Sequence, residues 1–280
     1  MSSIPVGHVE VEFFKVGQCS HPGCVAERGC GLAPKSFPNY CTLIRHPLYG
    51  DTLFDTGYHP AFFEQTRRFP ERLYSLTTPV SFDQTLRQQL EARGISGDSI
   101  KRIILSHFHA DHIAGCIDFN PDEYVAEEWG YQRLMALSRF GQVRKGFIKG
   151  LLPSDFERKA AWVKRYPQKL SGILGVKLKH DFDCCMLFKD GSAYLVSLPG
   201  HAAGHMGVLV RTAQGLIFLT GDAFWTKGNL TGRKPSFLAR LIMDEVRPFM
   251  VTLDALSYLY AQHSELVRLI GSHDEAAFQP

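Results

Sequence analysis

The amino-acid sequence predicts an α/β fold, on three features. Short runs with strand character alternate with segments of helical spacing, and several predicted strands end in glycine beside a histidine or aspartate. No apolar run approaches the roughly 20 residues that span a bilayer. The elements interleave along all 280 residues without a repeat or a low-complexity run. This points to one domain over residues 1–280, with a basic helical insertion over 127–180.

Taken in order, Val9 to Val16 (VEVEFFKV) largely alternates apolar and polar residues and reads as a half-buried strand. Gly17 to Asn39, rich in Gly, Cys and Pro, reads as an irregular loop. Tyr40–Arg45 and Thr52–Asp55 read as a hairpin about Leu48-Tyr49-Gly50-Asp51. Phe82, Leu86 and Leu90 have helical spacing within Phe82–Arg93, with Ser81 and Gln84 as a capping pair and Gly94 as the stop. Lys101–Leu105 is a short apolar strand that runs into Ser106-His107, and Glu127 to Lys179 reads as mostly helical, broken at Pro153 and Pro167. A second hairpin joins Cys185–Phe188 to Ala193–Leu198 through Asp190-Gly191. Val208–Arg211 and Leu216–Thr220 follow as strands and Thr252–Gln262 as a helix; Leu266–Ile270 is a last strand ending at Gly271-Ser272-His273-Asp274.

Composition is that of an ordinary globular protein, 45% hydrophobic and 21% charged. Met1 to Glu10 shows no basic start followed by an apolar core, and the seven cysteines are an odd number, so a cytoplasmic protein without a disulfide framework is expected. A net charge of +3 is too small to argue for nucleic acid. Its distribution is uneven: Gly130 to Lys179 carries twelve Lys and Arg against two acids, so the rest of the chain is net negative. That segment is either a solvated helical face or a site for anionic ligands.

The chemistry concentrates in Ser106-His107-Phe108-His109-Ala110-Asp111-His112. Burying these groups without partners would cost several kcal/mol. Alternation places His107 and His109 on one side of an extended loop, while Asp111 and His112 begin the next helix and face a second point. This suits two neighbouring cations with imidazole and carboxylate ligands; the alternative is a histidine cluster satisfied by hydrogen bonds. More candidate ligands stand at strand ends, in Pro199-Gly200-His201, Thr220-Gly221-Asp222 and Gly271-Ser272-His273. Cys19, Cys24 and Cys30, with His21 and Cys41 nearby, are a weaker candidate for structural zinc, and Phe62-Phe63 reads as core.

The order His-x-His-x-Asp-His, Pro-Gly-His, Gly-Asp and a late His resembles the metallo-β-lactamase-fold hydrolases. The resemblance implies a four-layer αββα sandwich with two divalent metal ions at one edge. His107, His109 and His201 would hold the first metal and Asp111, His112 and His273 the second, with Asp222 bridging. Zinc is the foremost expectation, with iron, manganese or cobalt as alternatives. His205 is the rival to His201, or a residue that orients a ligand. Phe13 to Cys19, Phe37 to Ile44 and Leu53 to Gly57 resemble the N-acyl homoserine lactone lactonases within that fold. Those enzymes usually place a Tyr three residues after the bridging Asp, whereas this chain has Trp225 there.

The function so implied is lactone opening by a hydroxide shared between two metals, with Asp111 and Asp222 as catalytic carboxylates and Trp225 and Phe224 as pocket walls. The partner is a small-molecule substrate, with no nucleic acid and no membrane, and a homodimer by analogy. A phosphodiester, organophosphate or thioester hydrolase is the alternative, and a metal-containing binding protein with little turnover is the alternative of another class. No Gly-x-Ser-x-Gly or Gly-x-Gly-x-x-Gly argues for serine-hydrolase or dinucleotide chemistry.

Overall fold

A computed structural model describes residues 7–237, 239 and 243–278. Their strands form two sheets. The first contains β1 (Glu10–Pro22), β2 (Pro34–His46), β3 (Gly50–Phe54), β4 (Val80–Ser81), β5 (Ile100–Ile104), β6 (Glu123–Glu127) and β7 (Ala160–Val163). Its spatial order is β4-β1-β2-β3-β5-β6-β7. The second contains β8 (Gln168–Lys169), β9 (Asp183–Met186), β10 (Ala193–Ser197), β11 (Met206–Thr212), β12 (Gly215–Leu219) and β13 (Val267–Ile270), and runs β13-β12-β11-β10-β9-β8. Both sheets are mixed. β1, β2 and β3 form an antiparallel meander, whereas β3, β5, β6 and β7 run parallel; in the second sheet β13 is parallel to β12.

Four layers follow from the two-residue period of the strands. Successive side chains point to opposite faces, and on these strands both faces are apolar. Ile44, Phe54, Ile104, Leu195, Val208, Leu219 and Ile270 come from both sheets and pack into one buried layer between them. Their chain neighbours Leu43, Leu53, Ile103, Val196, Leu209, Phe218 and Leu269 join the larger core on the outer faces. There Leu86 and Leu90 of the helix Leu86–Ala92 are buried, as are Phe249, Leu253, Leu256 and Leu259 of Val246–His263.

Three local expectations need correction. Much of Gly17–Asn39 is strand: β1 continues to Pro22 and β2 begins at Pro34, with Pro38 opposite Gln18. The first long helix starts later than its spacing predicts, because Thr85 and Gln88, not Ser81 and Gln84, form the reciprocal capping box. The 127–180 segment is not helical throughout. It contributes β7 to the edge of one sheet and β8 to the edge of the other, with short helices between.

Thr85→Ala removes one half of the capping box, so the thermal midpoint should fall by an amount equivalent to about 1 kcal/mol; calorimetry of the variant checks this.

Candidate metal centre

The parallel pairs β3/β5 and β12/β13 bring the ends of four strands to the same rim of the sandwich. Asp55 follows β3, Ser106 to His112 follow β5, Asp222 follows β12 and His273 follows β13; His201 lies just beyond β10. Backbone bonds fix these loops to one another. Met206 N–H donates to Ser106 O at 2.8 Å, Ser272 N–H to Gly221 O at 2.9 Å and Tyr40 N–H to Ser272 O at 2.9 Å. Gly221 has φ +55, and a Cβ there would lie 2.7 Å from His205 Nε2, so only glycine lets the chain turn here to present Asp222.

The sequence-predicted ligands come together in two groups, His107, His109, His201 and Asp222 in one and Asp111, His112 and His273 in the other. Within each group the candidate ligand atoms lie within 4.8 Å of one another, and all seven residues are buried except His109, which is half-buried. Asp222 stands between the groups. Its Oδ2 is 3.3 Å from His201 Nε2 and 3.1 Å from His273 Nε2, and its Oδ1 is 3.3 Å from His112 Nε2. Asp111 Oδ2 is 3.5 Å from both His112 Nε2 and His273 Nε2.

The remaining ring nitrogens are held from behind. His107 Nδ1 meets Ser106 Oγ at 2.9 Å, His112 Nδ1 meets Asp55 Oδ2 at 2.7 Å, and His273 Nδ1 donates to Pro38 O at 2.7 Å. On the inner side, His107 Nε2, His112 Nε2 and Asp222 Oδ1 are buried without a hydrogen-bond partner. Buried imidazole nitrogen and carboxylate oxygen left without a well-formed hydrogen bond, gathered in two adjoining groups, fit divalent cations. His205 does not compete as a ligand. Its Nδ1 donates to Leu198 O at 2.9 Å, and its Nε2 accepts the Asp222 backbone N–H at 3.1 Å.

Electrostatics divides the two groups. Burial, reinforced by His112 and His109, holds His107 well below the usual 6.5; burial also dominates at His201, and it lowers His109 to about 4 despite Asp111 and Asp222. These are neutral imidazoles, the form that binds a metal. Burial acts the same way on His112, but Asp111, Asp55 and Asp222 together outweigh it and raise the ring well above 6.5. Burial would raise Asp222; His273, His112 and His201 overcome this and hold it well below the usual carboxylate range.

Two residues at the centre carry no sequence-level role. Asp55, at φ +61, accepts from Ser106 N–H and Ser106 Oγ, each at 2.8 Å, besides engaging His112. A non-glycine residue in that left-handed region at a site is backbone strain held by its surroundings. Asn39 Nδ2 donates to both the backbone oxygen and Oδ2 of Asp111, at 3.1 Å each. Both stand in the segments that resemble the lactonases, but their partners are 51 to 72 residues away in the chain.

A cavity of about 300 Å³ opens onto His109, Asp111, His201, Asp222 and His273. Trp225 lines it; Phe224 does not, being fully buried against Gly271. Of the pair expected in the core, Phe62 is buried there, whereas Phe63 is exposed and stacks on Phe82. Cys19 and His21 face the cavity, and no cysteine belongs to a metal-capable group among the described residues.

The fold and the centre define a metallo-β-lactamase superfamily hydrolase. The chain belongs to that superfamily, whose model matches residues 35–263. Metallo-hydrolase mfmC of Annulohypoxylon moriforme is 28% identical over 192 residues, 66% of this chain and 48% of the relative, so the match spans about half of that protein. N-acyl homoserine lactonase AttM of Azorhizobium caulinodans is 28% identical over 211 residues, 73% of this chain and 72% of its own. A solved N-acyl homoserine lactone hydrolase, with the product N-hexanoyl-L-homoserine at its catalytic metal centre, superposes with a TM-score of 0.72 at 16% identity. That alignment covers 97% of this chain and 95% of the other; at such identity the likeness is one of fold.

Asp55→Asn keeps the side-chain shape but sets an amide against the His112 ring. Divalent-metal affinity should fall by roughly 10–100-fold, as read by competition with a chromogenic chelator.

Proposed function

We propose that this hydrolase opens lactone rings, N-acyl homoserine lactones foremost. The observation that carries the reading is the cavity beside the two ligand groups, walled largely by apolar side chains, among them Val25, Ala26, Phe37, Leu73 and Trp225. An acyl chain fits such a wall while its ester head meets the metal-capable rim. The similarity to AttM supports the same substrate class.

His107, His109 and His201 would hold one cation and Asp111, His112 and His273 the other, with Asp222 between them; zinc suits this donor set. Two such ions would polarise an ester carbonyl and lower the pKa of water at the centre from about 15.7 toward 7. The chain's own residues do the rest. Asn39 fixes the Asp111 carboxylate, which would take the proton of the attacking water and hand it to the leaving alkoxide. Trp225 stacks on Phe249, ring centroids 5.7 Å apart, and closes the wall beside His201. Tyr74 faces the cavity, and burial pushes its phenol well above 10, so it stays a neutral O–H donor. Its hydroxyl would donate to the carbonyl or the departing oxygen of a bound ester.

The basic segment gives little support to an anionic substrate. Eight of its twelve Lys and Arg are engaged in ion pairs within the protein.

Metal-loaded protein should open a medium-chain N-acyl homoserine lactone, followed as proton release at fixed pH, and a chelator should stop it. Absence of opening with both metals bound would overturn the reading, and Asp222→Ala should abolish turnover. Tyr74→Phe should lower kcat on the order of a hundredfold with a smaller change in KM; an unchanged kcat would remove Tyr74 from the chemistry.

A further inference from the structure

The mouth of the cavity has an unusual rim. The helix Arg72–Thr77 and the turn before it expose Phe69 (68%), Leu73 (37%) and Leu76 (66%), and the helix Arg139–Arg144 adds Phe140 (46%). The two elements form one surface. The Phe69 and Phe140 rings lie 6.4 Å apart between centroids, and Arg139 grips Glu71 with two bonds of 2.8 and 3.1 Å. Leu73, Phe140 and Arg144 line the cavity itself, so the exposed apolar rim is continuous with the apolar interior.

Cations accompany this rim. Arg67, Arg68, Arg72 and Arg144 are exposed and make no ion pair among the described residues. Of the two acids between residues 60 and 80, Glu71 is engaged by Arg139 and Glu64 lies in the preceding helix. An exposed apolar patch ringed by polar groups marks an interaction surface. Two copies meeting through the same patch would set these arginines against one another. A surface that is negative outside and apolar beneath satisfies both components at once.

We propose that this rim is a docking surface for an anionic lipid bilayer, bringing the cavity mouth to acyl substrates dissolved in the membrane. The association is peripheral, since no helix among the described residues is long and apolar enough to cross a membrane. It departs from the sequence-based expectation of no membrane partner, which rested on the absence of a spanning segment. Delivery of substrate depends on the lactone reading above; docking does not, and its readout needs no turnover.

The test is cosedimentation of the metal-loaded protein with vesicles of phosphatidylcholine alone or mixed with phosphatidylglycerol. The expected result is partition onto the mixed vesicles that weakens with added salt. The double variants Phe69→Ser/Leu76→Ser and Arg68→Gln/Arg72→Gln should each reduce partition roughly tenfold. None of these four residues lines the cavity, so hydrolysis of a short soluble substrate should be unchanged. The proposal is overturned by absence of partition, by equal partition onto neutral vesicles, or by wild-type partition in both variants. A concentration-dependent dimer broken by Phe69→Ser/Leu76→Ser would assign the face to a second copy and overturn it equally.

Discussion

Five imidazoles and two carboxylates converge at one rim of the sandwich, with the candidate ligand atoms less than 5 Å apart in each group. Removing such groups from water costs several kcal/mol for each charge unless counter-charge or metal replaces the lost solvation. Much of the local structure answers that constraint. Parallel strand pairs deliver the ligands to the same edge, backbone bonds between loops fix their spacing, and Ser106, Asp55 and Pro38 each hold one ring by its outer nitrogen. With the outer nitrogen engaged, the inner one is left with a lone pair for a cation. The strained backbone at Asp55 belongs to the same arrangement, since its carboxylate must reach Ser106 and His112 together.

The residues that converge at the rim were legible because they are dense and punctuated. Four of them fall within Ser106 to His112, and each of the others stands directly after a glycine or one residue beyond it. Asp55 and Asn39 were not, because their roles exist only through contacts across the fold and, for Asp55, through a backbone angle that sequence does not display. The β1–β2 ribbon was obscured for a different reason. Gly17, Pro22, Pro34 and Pro38 are breakers on a local reading, yet the strands accommodate them at a register shift between Lys15 and Gln18 and toward the ribbon's far end. β7 and β8 are four and two residues long, too short to show a period against a helical background.

The basic segment acquires a structural meaning from its partners. Most of its ion pairs are partly or largely exposed and individually contribute little. Asp244 is different: its side chain is 5% exposed and meets both Arg133 and Lys145. Its backbone N–H donates to His201 O at 2.8 Å, and Glu245 N–H donates to Gly200 O at 2.9 Å. Two cations of the basic segment, Arg133 and Lys145, therefore meet a buried carboxylate whose backbone braces the loop carrying His201.

On the lactone reading proposed above, discrimination between ester and phosphate would rest on the wall of the cavity more than on cations held at its rim. Two divalent ions attract phosphate oxygens as readily as a carbonyl. A phosphodiester, however, must bring its charge out of water past Phe37, Leu73 and Trp225, and the lining offers one arginine, Arg144, which remains exposed. A neutral ester with an apolar tail pays no such desolvation penalty and gains from burial of the tail. Trp225 would add to this bias: its ring packs against Phe249 next to His201, so the cavity wall beside the centre is apolar there.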